Sequence, residues 1–366
     1  MAPAVAAFTD TYLPTVNGVT YTISAWRDRY AERGGRMDVV YPASSYDPDP
    51  GEHPVSSLPF PFYEGYRLGL PSVPAALPEV DLVHAHSPFS VGVAGYRLAR
   101  RESLPLVVSY HTPTGEYASY VAPDLLASPV AAVSSRWERW FLEQADLVLA
   151  PSERTAESLR DFLTDPTPIE ALPNGVDVTR FEPRETAEFK RRYDLPTDRP
   201  LIGYTGRHGH EKNLEAIIEA AAALDVSVLF GGEGPATDSL KAAARRHDVD
   251  VRFLGFLDRE ELPAFYSALD VFAFPSPVET QGIVALEATA CGTPVVGVDA
   301  GALSETIVDG ANGFRYEQGD IDGFRAKLER ALDERDGLSE SCLDRRSEIS
   351  LARAIDRLEA VYERVV

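Results

Sequence analysis

The chain has almost no lysine. Four occur in 366 residues, at Lys190, Lys212, Lys241 and Lys327. Its positive charge is carried by arginine, and acids outnumber bases by 57 to 35, giving a formal net charge of −22. No basic stripe interrupts this acidity, which argues against nucleic acid as the main ligand. The acids are dispersed along the chain instead of collected in a tail. Dispersed acidity with scarce lysine is the pattern expected in a salt-rich cytoplasm, where exposed charges are screened and self-repulsion costs less. Cysteine is also scarce. Cys291 and Cys342 are the only two, too few for a disulfide framework, and Cys291 sits among apolar neighbours as a core residue does; a reducing cytoplasm fits. No apolar run is long enough to span a bilayer. The start lacks the basic, apolar, cleavable pattern of an export leader, so a cytoplasmic location is expected.

What is present is enough apolar material for two cores. The chain is 44% hydrophobic and 10% aromatic, and its length exceeds that of a usual single-core domain. Short apolar runs alternate with helical patterns throughout, which predicts parallel sheets covered by helices. The first half offers strands at Val5 to Phe8, Met37 to Tyr41, Leu82 to His84, Leu106 to Tyr110, Leu147 to Ala150 and Ile169 to Leu172. The second offers Leu201 to Thr205, Val226 to Phe230, Val251 to Leu254, Val271 to Phe274 and Val295 to Val298. Between the sets lies Asp177 to Pro200, polar and punctuated by Pro183, Pro196 and Pro200, which reads as a linker. The expected organisation is a domain over 1–180, a second over 181–350, and a last helix over 351–366 that packs back toward the first domain. Its apolar positions are Ile355, Leu358 and Val361/Tyr362. The fold class is α/β, with two Rossmann-like domains whose parallel sheets face a cleft, and such a cleft is the default ligand site.

Three constellations carry the chemistry. The stretch from Pro275 to Val296 holds Glu279 and Glu287 with seven residues between them. Glu279 falls in a strand-to-helix loop, at the end of the strands where open α/β sheets bind ligands. Glu287 lies in the apolar run IVALEATA, where an unpartnered carboxylate is expensive to bury. A polyhydroxyl ligand would serve as its partner; the alternative is a capping Glu279 and a structural ion pair at Glu287. The second constellation is Gly206-Arg207-His208-Gly209-His210-Glu211-Lys212-Asn213, between a strand and a helix. Arg207 and Lys212 there could neutralise a diphosphate beside a helix N-terminus, or be incidental charges of a solvated turn. The third is at the strand ends of the first half. His111 follows Ser109-Tyr110, placed for a ligand contact or a backbone bond. His84 and His86 fall at another strand end, His84 as a structural residue and His86 as a cleft residue. No Cys or carboxylate set completes a metal site with them. The N-terminal turn ends at Gly18, which lets backbone approach a ligand closely, although no G-x-G-x-x-G fingerprint is present.

Taken together these residues resemble the family-4 glycosyltransferases of the GT-B fold. The motifs that carry the resemblance are TYLPTVNGV, the SYHTPT histidine, LPNGVD, GRHGHEKN, FGGEGP, the VRFLGF strand and the E-x7-E pair, in order over nearly the whole chain. The resemblance implies that Arg207 and Lys212 neutralise the donor diphosphate and that Gly18 offers a backbone N–H to it. It implies that Glu287 holds ribose hydroxyls, that Glu279 contacts hydroxyls of the transferred sugar, that Gly282 and Ile283 belong to the donor-binding set, and that His111 lies beside the sugar near the reacting carbon. The backbone near Leu254 to Phe256 would face the base. It further implies a retaining hexosyltransferase with no essential metal and no cofactor beyond a nucleotide-sugar substrate, expected to be UDP-linked. Where many relatives carry Phe-Gly after the first glutamate, this chain has Thr280-Gln281-Gly282. That form, FTDTYLPTVNGV and the segment Leu58 to Pro71 are similar to enzymes that glucosylate diacylglycerol and to sulfoquinovosyl-diacylglycerol synthases. A lipid acceptor and a peripheral position on the inner membrane face follow as expectations, the alternatives being a soluble sugar, a glycan or an isoprenoid-linked acceptor, or a nucleotide-sugar-binding protein without catalysis. Arg136, Trp137, Arg139, Trp140 and Phe141 have the composition of an interfacial helix, and Arg97, Arg100 and Arg101 form a second basic patch. The alternative for them is tryptophans in the core and arginines paired with local acids.

Overall fold

In the computed structural model, residues 2–15, 17–60, 66–111 and 124–366 are described, without the side chains of 124–131. Val16, residues 61–65 of the Leu58 to Pro71 segment, and Thr112-Pro113-Thr114 after His111 lie outside them. Two compact units emerge. The first comprises Met1–Asn174 with Ala354–Val366, and the second Gly175–Arg353.

The first unit contains β1 (Ala4–Phe8), β2 (Arg36–Pro42), β3 (Glu52–Val55), β4 (Ser57–Pro59), β5 (Arg67–Gly69), β6 (Leu82–Ala85), β7 (Leu106–Ser109), β8 (Leu147–Ala150) and β9 (Ile169–Ala171). Seven of these form a parallel sheet in the order β3-β2-β1-β6-β7-β8-β9, while β4 and β5 pair antiparallel as a separate ribbon. The second unit holds β10 (Leu201–Thr205), β11 (Ser227–Gly231), β12 (Val251–Gly255), β13 (Val271–Phe274), β14 (Val295–Val298) and β15 (Gly313–Tyr316), all parallel in the order β12-β11-β10-β13-β14-β15. Central strands such as VVYP, LVLA and VFAF are buried on both faces, as their continuous apolar runs require. The two-Rossmann-like α/β architecture expected from the alternation is the one present.

Both sheets reverse their winding once. In the first, the chain leaves β1 toward β2 and leaves β6 in the opposite direction toward β7; in the second, β10 leads toward β11 and β13 toward β14. The neighbours β1/β6 and β10/β13 therefore bound the crevices where loops diverge, which is where ligands bind in open α/β sheets.

Four strands escape the sequence reading. β3 carries Pro54 on an edge, where a missing N–H is tolerated. In β15 only Phe314 and Tyr316 are apolar, and they alternate with Arg315. The ribbon β4/β5 is only three residues per strand. The expected linker is another difference. Phe181, Phe189 and Leu195 are buried in the core of the second unit, and Ala187–Arg192 is helical. Apolar residues spaced singly among charges hide this packing from a composition test.

The final helix, Leu351–Val365, buries Ile355, Leu358, Val361 and Tyr362. From Ala354 onward it belongs to the first unit. The Tyr362 hydroxyl bonds the Nδ1 of His84 at 2.7 Å, and Arg33 reaches Asp356 at 2.6 Å and Glu359 at 3.1 Å. The Arg357 guanidinium donates to the Ala171 carbonyl and Arg364 to Glu170.

Close backbone approach in the first unit depends on glycine. The helix Ser90–Glu102 crosses over β1, and a Cβ on Gly95 would lie 2.7 Å from the Phe8 ring. At Gly92 a Cβ would lie 1.8 Å from the Ser87 carbonyl oxygen, a contact with backbone that has no rotamer to yield. Gly92→Ala is expected to destabilise this unit by about 1–3 kcal/mol. All three tryptophans, Trp26, Trp137 and Trp140, lie in this unit, so urea unfolding followed by tryptophan fluorescence reads its stability alone. An unchanged midpoint would contradict the contact.

Candidate functional site

The loops at the β10/β13 crevice hold Arg207, Lys212 and Glu279. After β10 the chain turns through Gly206, whose positive φ of 143° suits glycine, and whose N–H donates to the Gly231 carbonyl at 3.1 Å. Arg207 follows, then a 3-10 turn over His210–Lys212, Asn213 in the left-handed conformation, and the helix Glu215–Ala221. The cations therefore sit in a tight turn ahead of the helix, a step further from its N-terminus than the sequence implies. His208 anchors this turn to the neighbouring FGGEGP loop. Its N–H donates to the Glu233 carbonyl at 3.0 Å, its carbonyl accepts from Ala236 at 2.9 Å, and its Nδ1 lies 2.9 Å from the Thr237 hydroxyl. A Cβ on Gly234 would lie 2.5 Å from the His208 carbonyl oxygen, so glycine is what lets these loops touch. Nothing in the sequence marks His208 for this task.

Each cation meets a carboxylate. Arg207 pairs with Glu211, four residues on. The Lys212 Nζ donates to the Glu279 Oε1 at 2.7 Å, with both side chains about four-fifths buried, at 19% and 16% exposure. This bond crosses from the loop after β10 to the loop after β13. Gly282 follows in the left-handed conformation, φ 74°, with a notional Cβ only 2.7 Å from Leu303, and the helix Ile283–Ala290 begins there. Within that helix Glu287 is buried and accepts from the Tyr266 hydroxyl at 2.8 Å. Burial pushes its carboxyl from an ordinary 4.5 up to about 7, against the opposing pull of Arg259, the Tyr266 bond and Arg180. At the end of β12, Leu254 packs against the core while Phe256 is exposed. Gly255 between them adopts φ 70°, and its carbonyl accepts from Gly232 at 2.6 Å. The structure thus gathers Lys212 with Glu279 and Arg207 with Glu211, and gives Glu287 a tyrosine as its partner.

In the first unit the β1/β6 crevice is bridged by a residue that the sequence did not single out. Asp10 accepts from the hydroxyls of Ser87 at 2.6 Å and Ser90 at 3.0 Å, and from the N–H groups of Val91 at 2.9 Å and Gly92 at 3.2 Å. It ties the loop after β1 to the start of the helix after β6. Burial raises its carboxyl, and these four bonds oppose the rise. An aspartate in TDTYLP carries no signal of this, because its partners are almost eighty residues away. Asn17 caps the next helix by accepting from Thr20 at 2.8 Å, and Gly18, the first helical residue, is exposed with open space where a Cβ would be.

Three histidines cluster at the ends of β6 and β7. His84 is fully buried, with Nδ1 on the Tyr362 hydroxyl and Nε2 2.8 Å from the Ser109 hydroxyl. His86 is buried, its ring 4.1 Å from that of His84 between centroids, and its Nδ1 lies 3.0 Å from the Nε2 of His111. Burial holds His84 down at about 3 and His111 at about 4, and pushes His86 well below its ordinary value, with the neighbouring rings adding to the effect on the first and last of these. All three are neutral at physiological pH.

The aromatic helix Asp124–Leu142 divides its residues. Phe141 is core, whereas Trp137 and Trp140 are 42% and 37% exposed and lie 4.8 Å apart. The Trp137 Nε1 donates to the Pro88 carbonyl at 2.7 Å, and Arg139 stacks on Phe162. Of the second patch, Arg100 stacks on Tyr96 and Arg101 pairs with Glu102. Among the described residues the only grouping of three metal-binding side chains is Glu215, Glu219 and His247, and Glu215 is already ion-paired with Arg246 at 2.8 Å. No described helix is long and apolar enough to cross a membrane.

Comparison with known proteins gives matches over both units. A family model described as Glycosyltransferase Family 4 matches residues 16–180, and one described as Glycosyl transferases group 1 matches 185–348. The chain is 31% identical to a GDP-mannose-dependent alpha-mannosyltransferase of Mycobacterium tuberculosis, over 87% of this chain and 85% of that protein. It is 27% identical to an alpha-monoglucosyldiacylglycerol synthase of Streptococcus pneumoniae, over 98% of this chain and 85% of that protein. Among solved structures, sucrose-phosphate synthase from Thermosynechococcus elongatus shares the fold with a TM-score of 0.81 at 20% identity, covering 99% of this chain and 98% of that one.

Glu287 gives the second unit a pH-dependent stability. Its pKa is raised on folding, so the folded state holds the proton more tightly than the unfolded chain. The resulting stabilisation is complete below about 4.5 and is lost as pH rises through about 7. The full span is on the order of 3 kcal/mol. Glu287→Gln removes the titration. Calorimetric unfolding of the two proteins is expected to show the wild type losing stability relative to the variant across that window. A difference that stays flat with pH would contradict a buried, proton-binding Glu287.

Proposed function

Because the chain belongs to the family-4, group-1 glycosyltransferases, we propose that it moves a hexosyl group from a nucleoside-diphosphate sugar to a membrane lipid, with retention at the anomeric carbon. The observation that carries the donor half of this reading is the Lys212–Glu279 bond at the β10/β13 crevice. A cation and a carboxylate at the mouth of a parallel sheet match a ligand that is anionic at one end and hydroxylated at the other. Arg207 and Lys212 take the diphosphate, whose charge grows as the anomeric C–O bond breaks. They stabilise the leaving group by fixed positive charge. Glu279 accepts from hydroxyls of the sugar and Glu287 from the ribose, with Gly282, Ile283 and the backbone from Leu254 to Phe256 lining the nucleotide. His111 contacts the transferring hexosyl group, and Gly18 offers its N–H to a phosphate. The acceptor hydroxyl attacks on the face the diphosphate leaves, and its proton passes to the departing phosphate oxygen. A UDP-linked hexose is the proposed donor, and no step in this scheme calls on a metal.

The lipid half rests on the first unit. Of the ten large apolar side chains exposed among the described residues, seven lie between Leu58 and Trp140: Leu58, Leu68, Leu70, Phe89, Val133, Trp137 and Trp140. The β4/β5 ribbon packs on the helix Ser90–Glu102, since a Cβ on Gly69 would lie 2.6 Å from Val91, and Trp137 bonds the loop before that helix. Amphipathic tryptophans with arginines beside them suit a lipid–water boundary. The similarity to a glucosyldiacylglycerol-forming relative points the same way. These features support a peripheral position on the inner membrane face.

Lys212→Ala is expected to lower transfer by about a hundredfold or more, because positive charge at a developing anion is worth that much. Steady-state rates near wild type would contradict the assignment. Glu279→Ala is expected to weaken use of the sugar donor more than binding of the free nucleoside diphosphate, and equal losses in the two titrations would remove its role. For the acceptor, UDP-glucose, UDP-galactose, UDP-sulfoquinovose and GDP-mannose are incubated with diacylglycerol vesicles or with soluble sugars. Hexosyl-lipid formed from a UDP-linked donor is the expected product. Turnover confined to soluble acceptors overturns the lipid half.

A further inference from the structure

We propose that Tyr266 is a positioning residue for nucleotide binding: its hydroxyl occupies Oε2 of Glu287 and so leaves Oε1 as the oxygen that meets the ribose. The inference rests on the reading above that Glu287 accepts from the ribose. Both residues belong to the second unit, Tyr266 in the helix Leu262–Ala268 and Glu287 in the helix Ile283–Ala290. The phenol oxygen lies 2.8 Å from Oε2.

The direction of this bond follows from counting hydrogens and lone pairs. A phenol has one O–H to donate, and a carboxylate only accepts. Tyr266 is fully buried, and Oε2 of Glu287 is the only hydrogen-bond partner of its hydroxyl among the described residues. Burial, and then the charge of the adjacent carboxylate, push the phenol well above its ordinary range, so it keeps its proton. If a protonated Glu287 donated from Oε2 to the phenol, the phenolic hydrogen would be buried with no acceptor, which native structures rarely tolerate. Tyr266 is therefore the donor in either charge state of Glu287, and a proton taken up by the carboxyl goes to Oε1. Oε1 accepts no hydrogen bond from any described residue, and the glutamate keeps a residual 5% exposure. One oxygen is committed to the protein, and the other remains for a ligand hydroxyl.

Packing suits Tyr266 to this task. Its ring centroid lies 6.1 Å from that of Phe181, 5.6 Å from Phe265 and 5.7 Å from Phe272, so the hydroxyl has little freedom to turn aside. The Thr293 hydroxyl donates to the Tyr266 carbonyl at 2.7 Å, tying the tyrosine to the turn after the glutamate's helix. Without the phenol, the charge of Glu287 would be opposed by burial and favoured only by the guanidinium groups of Arg259 and Arg180. Cys291, four residues on, is held as a neutral thiol by burial and gives no help.

Tyr266→Phe removes the hydroxyl and keeps the ring. The first arm of the test needs no ligand. In a 13C spectrum of the full chain, the Glu287 carboxyl of the wild type is expected to titrate at about 7, and the hydroxyl-bearing ring carbon of Tyr266 to shift with the same midpoint. In Tyr266→Phe the Glu287 midpoint is expected to move upward, because the lost bond favoured the carboxylate. An unmoved midpoint overturns the proposal, as does a wild-type tyrosine signal that ignores the titration; the tyrosine signal decides if the variant does not fold. The second arm compares UDP with 2′,3′-dideoxy-UDP by calorimetric titration at a pH above both midpoints. There Glu287 carries the same charge in the two proteins, and only its placement differs. The wild type is expected to prefer UDP by about tenfold or more, and Tyr266→Phe to lose about threefold or more of that preference. A preference as strong in the variant as in the wild type overturns the proposal. A wild type that binds the two nucleotides equally overturns the assignment of Glu287 to the ribose, and the proposal with it.

Discussion

A parallel sheet that reverses its winding leaves one pair of adjacent strands whose following loops run apart, and everything proposed for this protein hangs on what fills that gap. In the second unit the gap between β10 and β13 is spanned by the Lys212–Glu279 bond. In the first, Asp10 spans the gap between β1 and β6 with four hydrogen bonds. The two solutions differ in kind. Asp10 is partly buried and bonded by neutral donors on its own unit, a structural tie. Lys212 and Glu279 retain some exposure and oppose two full charges, a pair that a ligand with its own anion and hydroxyls can separate. A tie of the second kind holds both groups in place, which is the pre-organisation that electrostatic stabilisation of a leaving group depends on.

The same contrast separates the buried titratable groups. Glu287 sits in an apolar helix with a tyrosine as its hydrogen-bonding partner, and burial raises its carboxyl to near neutrality. The three clustered histidines are forced neutral in turn. The second unit thus keeps its ion pairs at the crevice, while the histidines at the strand ends of the first unit are held neutral by burial. Fixed charge suits a diphosphate.

Much of this was legible in the sequence because it rests on local pattern. Continuous apolar runs gave the central strands, and 3.6-residue spacing gave the last helix with Ile355, Leu358 and Tyr362 inward. Glu287 stood out as a carboxylate in an apolar helical run, and Glu279 and the Arg207/Lys212 turn as charges in loops that follow strands. What sequence concealed depends on partners distant along the chain. Asp10 is joined to Ser87 and Val91, and His208 to Glu233 and Ala236, contacts that only the closed sheets create. Phe181 and Phe189 were masked by the charges around them and turned an expected linker into core. The edge strand β3 and the alternating β15 lack the apolar runs that betray central strands. Glu211 is four residues from Arg207 and within local reach, whereas the Lys212–Glu279 pairing follows from the adjacency of β10 and β13, which spacing alone does not give.

In the proposed reaction Arg207 and Lys212 exchange their internal carboxylates, Glu211 and Glu279, for a diphosphate. Calorimetric titration with UDP, UMP and uridine tests it most directly, in the wild type and in a variant with both Arg207 and Lys212 changed to alanine. The expected result is at least a tenfold gain in affinity from UMP to UDP in the wild type, about 1.4 kcal/mol, and no gain in the double variant. Equal affinities for UMP and UDP in the wild type, or a gain that survives loss of both cations, would contradict the account.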